Sequence, residues 1–306
     1  MTTPPNILRH LHLPGTTPFK SAQALQTHLT SSLLAAKATS TSTSTSPSIT
    51  APPPTLLTFT PTPVYTFGRR SPQADLQPRD LAHLSSPLFP DPADPRVPRQ
   101  YAQLIDTSRG GLTTFHGPGQ LVIYPVLDLK SIRSPKYPKG LGVREYVCLL
   151  EHSTIAVLAK WDIQAKRTAN PGVWVESSSW EDKKIAALGV HLRRNVSSYG
   201  VGLNVYTDLR WFERITACGL EGLGVTSMKE VGWDWFRLGI RKGKGRKEQY
   251  LRMLSRQWAA EFAKGLWGEG GENGVQKIKL LDLGIDESVL EREEEEEAVD
   301  ECDMFK

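Results

Sequence analysis

The chain has 306 residues, of which 39% are hydrophobic and 23% charged, and it carries a net charge of +4. This composition is typical of a soluble globular protein with one large domain or two small ones. No apolar run approaches the roughly 18 residues of a membrane-spanning helix, so such a span is not predicted. The three cysteines, Cys148, Cys218 and Cys302, form no CxxC pair. The sequence therefore predicts neither a disulfide framework nor a zinc site.

The first hundred residues combine predicted strands and one helix with two polar segments. Strands are expected over 6–13, closed by Pro14 and Gly15, and over 56–59 and 64–67, and a helix with apolar spacing is expected over 21–37. Segment 38–54 is dominated by Ser, Thr and Pro and is predicted to be a flexible insert, since it lacks the apolar side chains needed to fold. Segment 71–100, rich in Pro and Asp, is predicted to be a second, surface insert.

The second part of the chain opens on the Gly-rich segment 109–120. After it we expect a buried strand over 121–124, an amphipathic helix over 143–161, strands over 172–175, 184–192 and 199–206, a short helix N-capped by Asp208, and an amphipathic helix over 249–266. A basic insert near 233–248 precedes the last helix, and the acidic segment 267–306 is predicted to be a partly disordered tail. Strands outnumber helices but both occur, which indicates the α+β class.

Segment 109–120 contains four glycines, which allow the backbone to approach a ligand closely. Its N–H groups can form an oxyanion hole or cradle a carbonyl, and His116 can orient a ligand or another side chain. The spacing fits neither GxGxxG nor GxxxxGK[ST], so a nucleotide phosphate loop is not predicted. A tight structural turn is the alternative.

Cys218 and Lys184 are the candidates for nucleophilic chemistry. Cys218 has the small neighbours Ala217 and Gly219, and a free thiol with a pKa of about 8.5 needs a nearby cation or base to react at neutral pH. If Lys184 is held near Cys218, it favours the thiolate and can shuttle protons. The alternatives are an inert buried thiol and a strand-end lysine that reaches solvent. Cys148, inside an apolar helix, is expected to be such an inert thiol.

Gly200 and Gly202 lie two residues apart in a predicted strand. Glycine weakens a strand unless something must pass close to it. An acyl chain lying across that face of the strand would supply the reason, and a β-bulge is the alternative explanation.

Taken together, five segments resemble the lipoyl(octanoyl) transferase family. They are RGGLTTFHGPGQ (109–120), PGVWV (171–175), KIAALG (184–189), GVGLNV (200–205) and ACGL (217–220). In addition, VYTFGRR (64–70) matches an early strand of the family. The resemblance runs from residue 6 to about residue 266, as one catalytic domain interrupted by the inserts. It implies a mixed sheet flanked by helices, as in the catalytic domain of biotin and lipoate protein ligases. It also implies octanoyl transfer from acyl carrier protein to a lysine of a lipoyl domain, the first step of protein lipoylation, without metal, cofactor or ATP.

The resemblance also implies roles for individual residues. Cys218 is the implied carrier of an acyl thioester, and Lys184 is the implied acid and base beside it. The implied substrate pocket consists of Arg109, Gly110, Gly111, Leu112, Thr113, Thr114, Phe115, His116, Ala187, Leu188, Gly189, Gly200, Val201 and Gly202. The chain departs from the family pattern at Tyr199, where many members have a histidine, at Phe115 in place of a tyrosine, and at Ala217 in place of a proline.

The implied partners are octanoyl-acyl carrier protein, the lipoyl domains of 2-oxoacid dehydrogenase E2 subunits and the glycine cleavage H protein, with no nucleic acid and no membrane. No Asp or Glu occurs before Asp75, as is typical of a mitochondrial transit peptide. We therefore expect a mitochondrial location, with a cytoplasmic one as the alternative. Two other functions stay open: an ATP-dependent lipoate or biotin protein ligase, and a non-catalytic protein that binds acyl carrier or lipoyl domains.

Overall fold

A computed structural model of the chain describes residues 6–42, 52–89, 99–176, 181–215, 224–232, 245–286 and 288. The strands are β1 (Leu8–Thr17), β2 (Thr55–Pro61), β3 (Val64–Phe67), β4 (Gln103–Asp106), β5 (Thr114–His116), β6 (Gln120–Val126), β7 (Val173–Glu176), β8 (Asp182–Arg193), β9 (Val196–Asn204) and β10 (Val275–Ile278). The α-helices are α1 (Phe19–Ser42), α2 (Pro78–Ser85), α3 (Val143–Ala159) and α4 (Arg246–Trp267). Within these ranges, no helix combines the length and the apolar character required to cross a membrane.

Seven strands form one mixed sheet in the order β10-β1-β2-β6-β9-β8-β7. β1 is parallel to both β10 and β2, whereas the other neighbours in this sheet are antiparallel. A smaller sheet has the order β4-β3-β5. The predicted α+β class with a mixed sheet and flanking helices is confirmed.

Helices cover both faces of the large sheet. On β2, Leu56 packs in the core that contains α3 and α4, whereas Leu57 packs in the core beneath α1. On β6, Ile123 and Val122 divide between the two cores in the same way. This division follows from the alternation of side chains across a pleated strand. The central strands are therefore buried on both sides, which keeps their register well defined.

The predicted helices and strands are present, with shifted ends. β1 does not end at Pro14 and Gly15; it continues to Thr17 with an irregular register between His12 and Thr16. The short helix after Asp208 is a 3-10 helix over Leu209–Arg214. The Asp208 side chain accepts a hydrogen bond from the backbone N–H of Arg210 and so caps the N-terminus of this helix, as predicted. The strand β1 continues beyond Pro14 and Gly15 because its last residues pair with β2, which is distant in the sequence.

The predicted inserts are only partly irregular. α1 runs through Ser42, so the first insert begins later than predicted, and residues 43–51 lie outside the described residues. The second insert contains α2, whose Leu84 packs in a small core with Phe115 and Trp211. The third predicted insert covers residues 233–248. Residues 233–244 lie outside the described residues, and residues 246–248 belong to the start of α4.

The large sheet continues past residue 266, where the sequence predicted the catalytic domain to end. β10 pairs in parallel with β1, with Leu8 opposite Val275 and Leu11 opposite Ile278. Ile278 is buried against the core beneath α1. A strand of four residues carries little periodicity of its own, and only its pairing with β1 reveals it. Residues 289–306 of the predicted acidic tail lie outside the described residues.

Candidate active site

A cavity of about 500 Å³ lies where β8 and β9 meet the loop before β5. The residues that the sequence predicted for the site and that line this cavity are Arg109, Gly110, Gly111, Leu112, Thr114, His116, Lys184, Ala187, Leu188, Gly189, Gly200, Val201 and Gly202. The register brings the two strand segments together, because Ala187 lies opposite Gly202 and Gly189 opposite Gly200. Three segments that are distant in the sequence therefore share one cavity.

Two residues predicted for the pocket do not line this cavity. On β5, Thr114 and His116 face the cavity, so the alternation of a strand directs Phe115 to the opposite side. The Phe115 ring stacks on Trp211 with 4.9 Å between centroids and an interplanar angle of 9°. The Thr113 hydroxyl lies 3.2 Å from that of Ser71, beside a separate surface hollow. A role for Phe115 and Thr113 in contacting substrate therefore lacks structural support.

The buried Arg109 side chain organises the loop that carries it. Its guanidinium donates to the carbonyl oxygen of Leu112 at 2.8 Å, and to the carbonyl and hydroxyl oxygens of Thr66 on β3 at 2.5 and 2.9 Å. The Gly110 N–H donates to the Val190 carbonyl at 3.0 Å and ties the loop to β8. Gly111 has a φ of +96°, a conformation that favours glycine. The loop is thus braced from both sides and presents its backbone to the cavity.

The glycines of β8 and β9 are explained by close packing. A Cβ atom on Gly200 would lie 2.3 Å from the carbonyl oxygen of Ile123 on β6. A Cβ atom on Gly189 would lie 3.1 Å from the Gly110 carbonyl oxygen, and one on Gly202 would lie 3.0 Å from Oε1 of Gln120. The pairing of β8 with β9 has no register shift, so the bulge alternative is wrong. An acyl chain is not needed to account for Gly200.

His116 begins a chain of buried hydrogen bonds. Its Nδ1 lies 2.6 Å from Gln120 Oε1, Gln120 Nε2 donates to Asn204 Oδ1 at 2.8 Å, and Asn204 Nδ2 donates to the Thr226 carbonyl at 3.0 Å. These donations orient both amides, so the proton of the ring is on Nδ1. Burial lowers the pKa of His116 to about 4. The ring is therefore neutral near pH 7, and its Nε2 is available as an acceptor.

Lys184 is buried on β8, with 6% of its surface exposed, so it is not a lysine that extends into solvent. Its N–H donates to the Gly224 carbonyl at 2.9 Å, and its own carbonyl accepts the Thr226 N–H at 2.9 Å. The ammonium lies 4.7 Å from the centroid of the Trp174 ring. An aromatic face attracts a cation at this distance. The side chain is thus held at the cavity wall.

The cavity also contains residues that the prediction missed: Arg70, Tyr124, Val147, Asn170, Pro171, Val190 and Tyr199. Tyr199 was singled out in the sequence only as a departure from the family pattern. It has a φ of +58°, and its hydroxyl lies 3.4 Å from the Ser108 hydroxyl and from Gln23 Nε2. Its ring meets Tyr124 edge-on at 5.5 Å. Tyr199 therefore connects the cavity wall to Ser108, which precedes Arg109, and to α1, which carries Gln23.

Cys148 is not the buried thiol that the sequence predicted. It is partly exposed, and its Sγ accepts a hydrogen bond from the Arg167 guanidinium at 3.1 Å. On α3 the buried face is formed by Tyr146, Leu149 and Leu150, so Cys148 lies at its margin. The apolar neighbours of Cys148 in the sequence point in other directions, because adjacent residues of a helix do not share a face.

Cys218 lies outside the described residues, within segment 216–223. The description ends at Ile215, three residues before Cys218, and resumes at Gly224, six residues after it. Gly224 is the residue whose carbonyl accepts the Lys184 N–H. A near sequence neighbour of Cys218 therefore pairs directly with Lys184.

The family model described as the lipoyl protein ligase A/B catalytic domain matches residues 35–236, which is more than half of the chain. The chain belongs to this family. A Schizosaccharomyces pombe protein named "Probable octanoyltransferase" is 42% identical over 179 residues, which cover 58% of this chain and 68% of that protein. A mitochondrial octanoyl-[acyl-carrier-protein]:protein N-octanoyltransferase of Danio rerio is 40% identical over 176 residues, which cover 58% of this chain and 66% of that protein.

This member of the lipoyl protein ligase A/B family also resembles bacterial proteins. An octanoyltransferase of Xanthomonas campestris is 45% identical over 130 residues, which cover 42% of this chain and 51% of that protein. Among solved structures, a bipartite lipoate protein ligase of Thermoplasma acidophilum aligns with a TM-score of 0.46 and 12% identity, over 94% of this chain and 90% of that one. The sequence relatives confirm the predicted family and the predicted enzyme class, an acyltransferase.

Proposed function

We propose that this chain transfers an octanoyl group from octanoyl-acyl carrier protein to a lysine of a lipoyl domain, through a thioester on Cys218. The observation that carries the proposal is the buried Lys184, which lines one cavity together with the loop before β5. The family and the names of the relatives support the acyl group and the carrier. The order of Lys184 and Cys218 in the matched segments supports the roles of the two residues.

The first half-reaction forms the acyl-enzyme. Cys218 attacks as its thiolate: its Sγ bonds to the thioester carbonyl carbon of the carrier, the carbonyl carbon–sulfur bond to the carrier breaks, and the carrier thiol leaves with a proton from Lys184. In the second half-reaction the amine of the acceptor lysine attacks the new thioester. Lys184, now neutral, takes a proton from that amine, and the Cys218 thiolate leaves. One lysine thus serves as acid and then as base.

The surroundings of Lys184 fix its side chain at the cavity wall. Only 6% of its surface is exposed, and its ammonium lies 4.7 Å from the centroid of the Trp174 ring. A side chain that is held in this way presents its amine at one place in the cavity, and acid and base catalysis depends on such positioning.

The cavity walls support an aliphatic substrate. Leu112, Leu188 and Val201 contribute apolar surface beside the glycine backbone. Each buried methylene contributes about 0.8 kcal/mol, which corresponds to roughly fourfold in affinity per carbon. A series of acyl chains should therefore show a steady gain up to the length that the cavity accepts. We propose eight carbons as that length.

Partners and location follow from the same proposal. The acceptors are lipoyl domains of 2-oxoacid dehydrogenase E2 subunits and the glycine cleavage H protein. Relatives from Danio rerio, Drosophila melanogaster and Xenopus tropicalis have mitochondrial in their names, which supports a mitochondrial location. We take the catalytic domain to extend through β10, since that strand completes the large sheet.

Intact mass after incubation with octanoyl-acyl carrier protein, without ATP, tests the proposal. Wild type should gain one octanoyl group, Cys218→Ser none, and Cys148→Ser one, as the matched control. An adduct on Cys148, or no adduct on the wild type, would contradict the thioester mechanism. Octanoylation of a lipoyl domain only when ATP is added would favour a ligase. Binding of carrier and lipoyl domain without any transfer would favour a non-catalytic protein.

A further inference from the structure

A carboxylate is buried beneath the wall of the cavity. Glu151 lies in the middle of α3, and only 3% of its side chain is exposed. Its Oε1 accepts the backbone N–H of Gly172 at 3.1 Å, and its Oε2 accepts a hydrogen bond from Nε of Arg167 at 2.5 Å. A buried carboxylate is costly unless both oxygens have partners. Both oxygens of Glu151 have a hydrogen-bond donor here, and both donors, Arg167 and Gly172, belong to the segment that precedes β7.

The Gly172 backbone in turn lies against Lys184. Gly172 has a φ of +136°, and a Cβ atom built on it would lie 3.1 Å from Lys184 Cε and 3.0 Å from the Ala186 carbonyl oxygen. Two residues later, the Trp174 ring faces the Lys184 ammonium. The indole N–H of Trp174 donates to the Asn170 carbonyl at 3.0 Å. Residues 170–174 therefore form a wall that limits the Lys184 side chain on two sides.

We infer that Glu151 is a positioning residue for Lys184, which it holds in place through the backbone N–H of Gly172. This inference rests on the proposed function, in which Lys184 carries the proton. The wall is also connected to the segment before it, because Lys166 and Trp174 exchange two backbone hydrogen bonds of 2.7 and 2.9 Å. Glu151 supplies the link between the wall and the α3 helix, and so sets how far Gly172 stands from Lys184.

The chemistry of the link requires a carboxylate. Glu151 faces an N–H donor on each side, and an ionised carboxylate accepts from both. A glutamine can accept through its one oxygen only, so its amide N–H₂ would face either Gly172 or Arg167 and one hydrogen bond would be lost. Glu151→Gln keeps the volume of the side chain and removes one of its two hydrogen bonds. The variant therefore perturbs position with little change in packing.

The experiment compares Glu151→Gln with Glu261→Gln, which removes a carboxylate paired with Lys160 at 2.6 Å, away from the cavity. Glu151→Gln should lower kcat about tenfold, leave KM for octanoyl-acyl carrier protein within twofold, and shift the pH profile of the transfer to the acceptor lysine. Glu261→Gln should do none of these. Equal kcat values and equal pH profiles for the two variants, at equal folded fractions, would overturn the inference.

A second variant and a second readout keep the test decisive. If Glu151→Gln does not fold, Arg167→Gln takes its place, because the Arg167 side chain is 40% exposed; it should lower kcat severalfold in the same way, and unchanged kinetics would refute the inference. If the wild type forms no thioester, the proposed function fails. The inference is then judged from acetylation of Lys184 by acetic anhydride, followed by peptide mass. The rate should change at least threefold in Glu151→Gln and should stay constant in Glu261→Gln, and a constant rate in both would refute the inference.

Discussion

Gly172→Ala places a single methyl group against the lysine that we propose to be the proton carrier. The backbone at Gly172 has a φ of +136°, and the added Cβ would meet Lys184 Cε at 3.1 Å, whereas ordinary contacts begin near 3.4 Å. Gly268→Ala is the matched control. Gly268 caps the end of α4 with a φ of 91° and a ψ of −170°, and a Cβ there meets nothing within 4 Å.

Two separate effects are expected from this pair. A side chain at a backbone conformation that favours glycine costs about 1–3 kcal/mol, so both variants should be less stable. Gly172→Ala should lose more stability than Gly268→Ala, because its Cβ would also lie 3.0 Å from the Ala186 carbonyl oxygen. Only Gly172→Ala must also push Lys184 aside by a few tenths of an ångström. Since a misplacement of about 1 Å can cost roughly 100-fold in rate, we expect a loss of about 3- to 10-fold in kcat.

Chemical denaturation gives the free energy of unfolding of each variant, and octanoyl transfer is then measured below the unfolding transition. Gly172→Ala should lose kcat with an unchanged KM for the carrier protein, while Gly268→Ala keeps wild-type kinetics. If both variants keep the wild-type kcat at the same folded fraction, the contact between Gly172 and Lys184 does not control the reaction.

Three further outcomes are expected. Lys184→Met should lower kcat by at least about 100-fold. Binding of the carrier protein, measured by equilibrium titration, should change less than twofold. A small loss of kcat would exclude Lys184 as the acid and base. Phe115→Leu should cost about 1–2 kcal/mol in unfolding free energy and leave KM unchanged, and a raised KM would show that Phe115 contacts substrate after all. Between pH 7 and pH 5 the free energy of unfolding should fall by about 2 kcal/mol through His116 alone, because the unfolded chain binds a proton near pH 6.5 and the buried ring, with a pKa of about 4, does not. Burial also lowers the pKa values of His10 and His12, to about 3 and 4, so these residues add to the fall in the free energy of unfolding. In His116→Gln the difference in unfolding free energy between pH 7 and pH 5, measured from denaturation curves, should be smaller than in the wild type. An equal difference would contradict the depressed pKa of His116.

The family segments could be read from the sequence because they are local. A Gly-rich loop, a strand that opens on a lysine and a short Ala-Cys-Gly step keep their composition and order whatever surrounds them. Periodicity likewise predicted α1, α3, α4 and the strands β2, β3, β8 and β9, since each is long or apolar enough to show its pattern. Pairing partners were not accessible in this way, and so β10 and the separate three-stranded sheet were missed.

For the candidate active site, too, some features could be predicted from the sequence and others only from the tertiary structure. The sequence alone determined the α+β class, the family and the pair Lys184 and Cys218 as candidates, because residue type and order suffice for these conclusions. Only the tertiary structure decided that His116 faces the cavity while Phe115 fills a core, and that Gly200 is glycine because of the Ile123 carbonyl. It also brought Glu151 and Lys184, which are 33 positions apart in the sequence, to opposite sides of Gly172: Glu151 accepts the Gly172 N–H, and a Cβ atom on Gly172 would lie against Lys184 Cε. Such contacts depend on how close distant segments come to one another, and a linear pattern carries no measure of that distance.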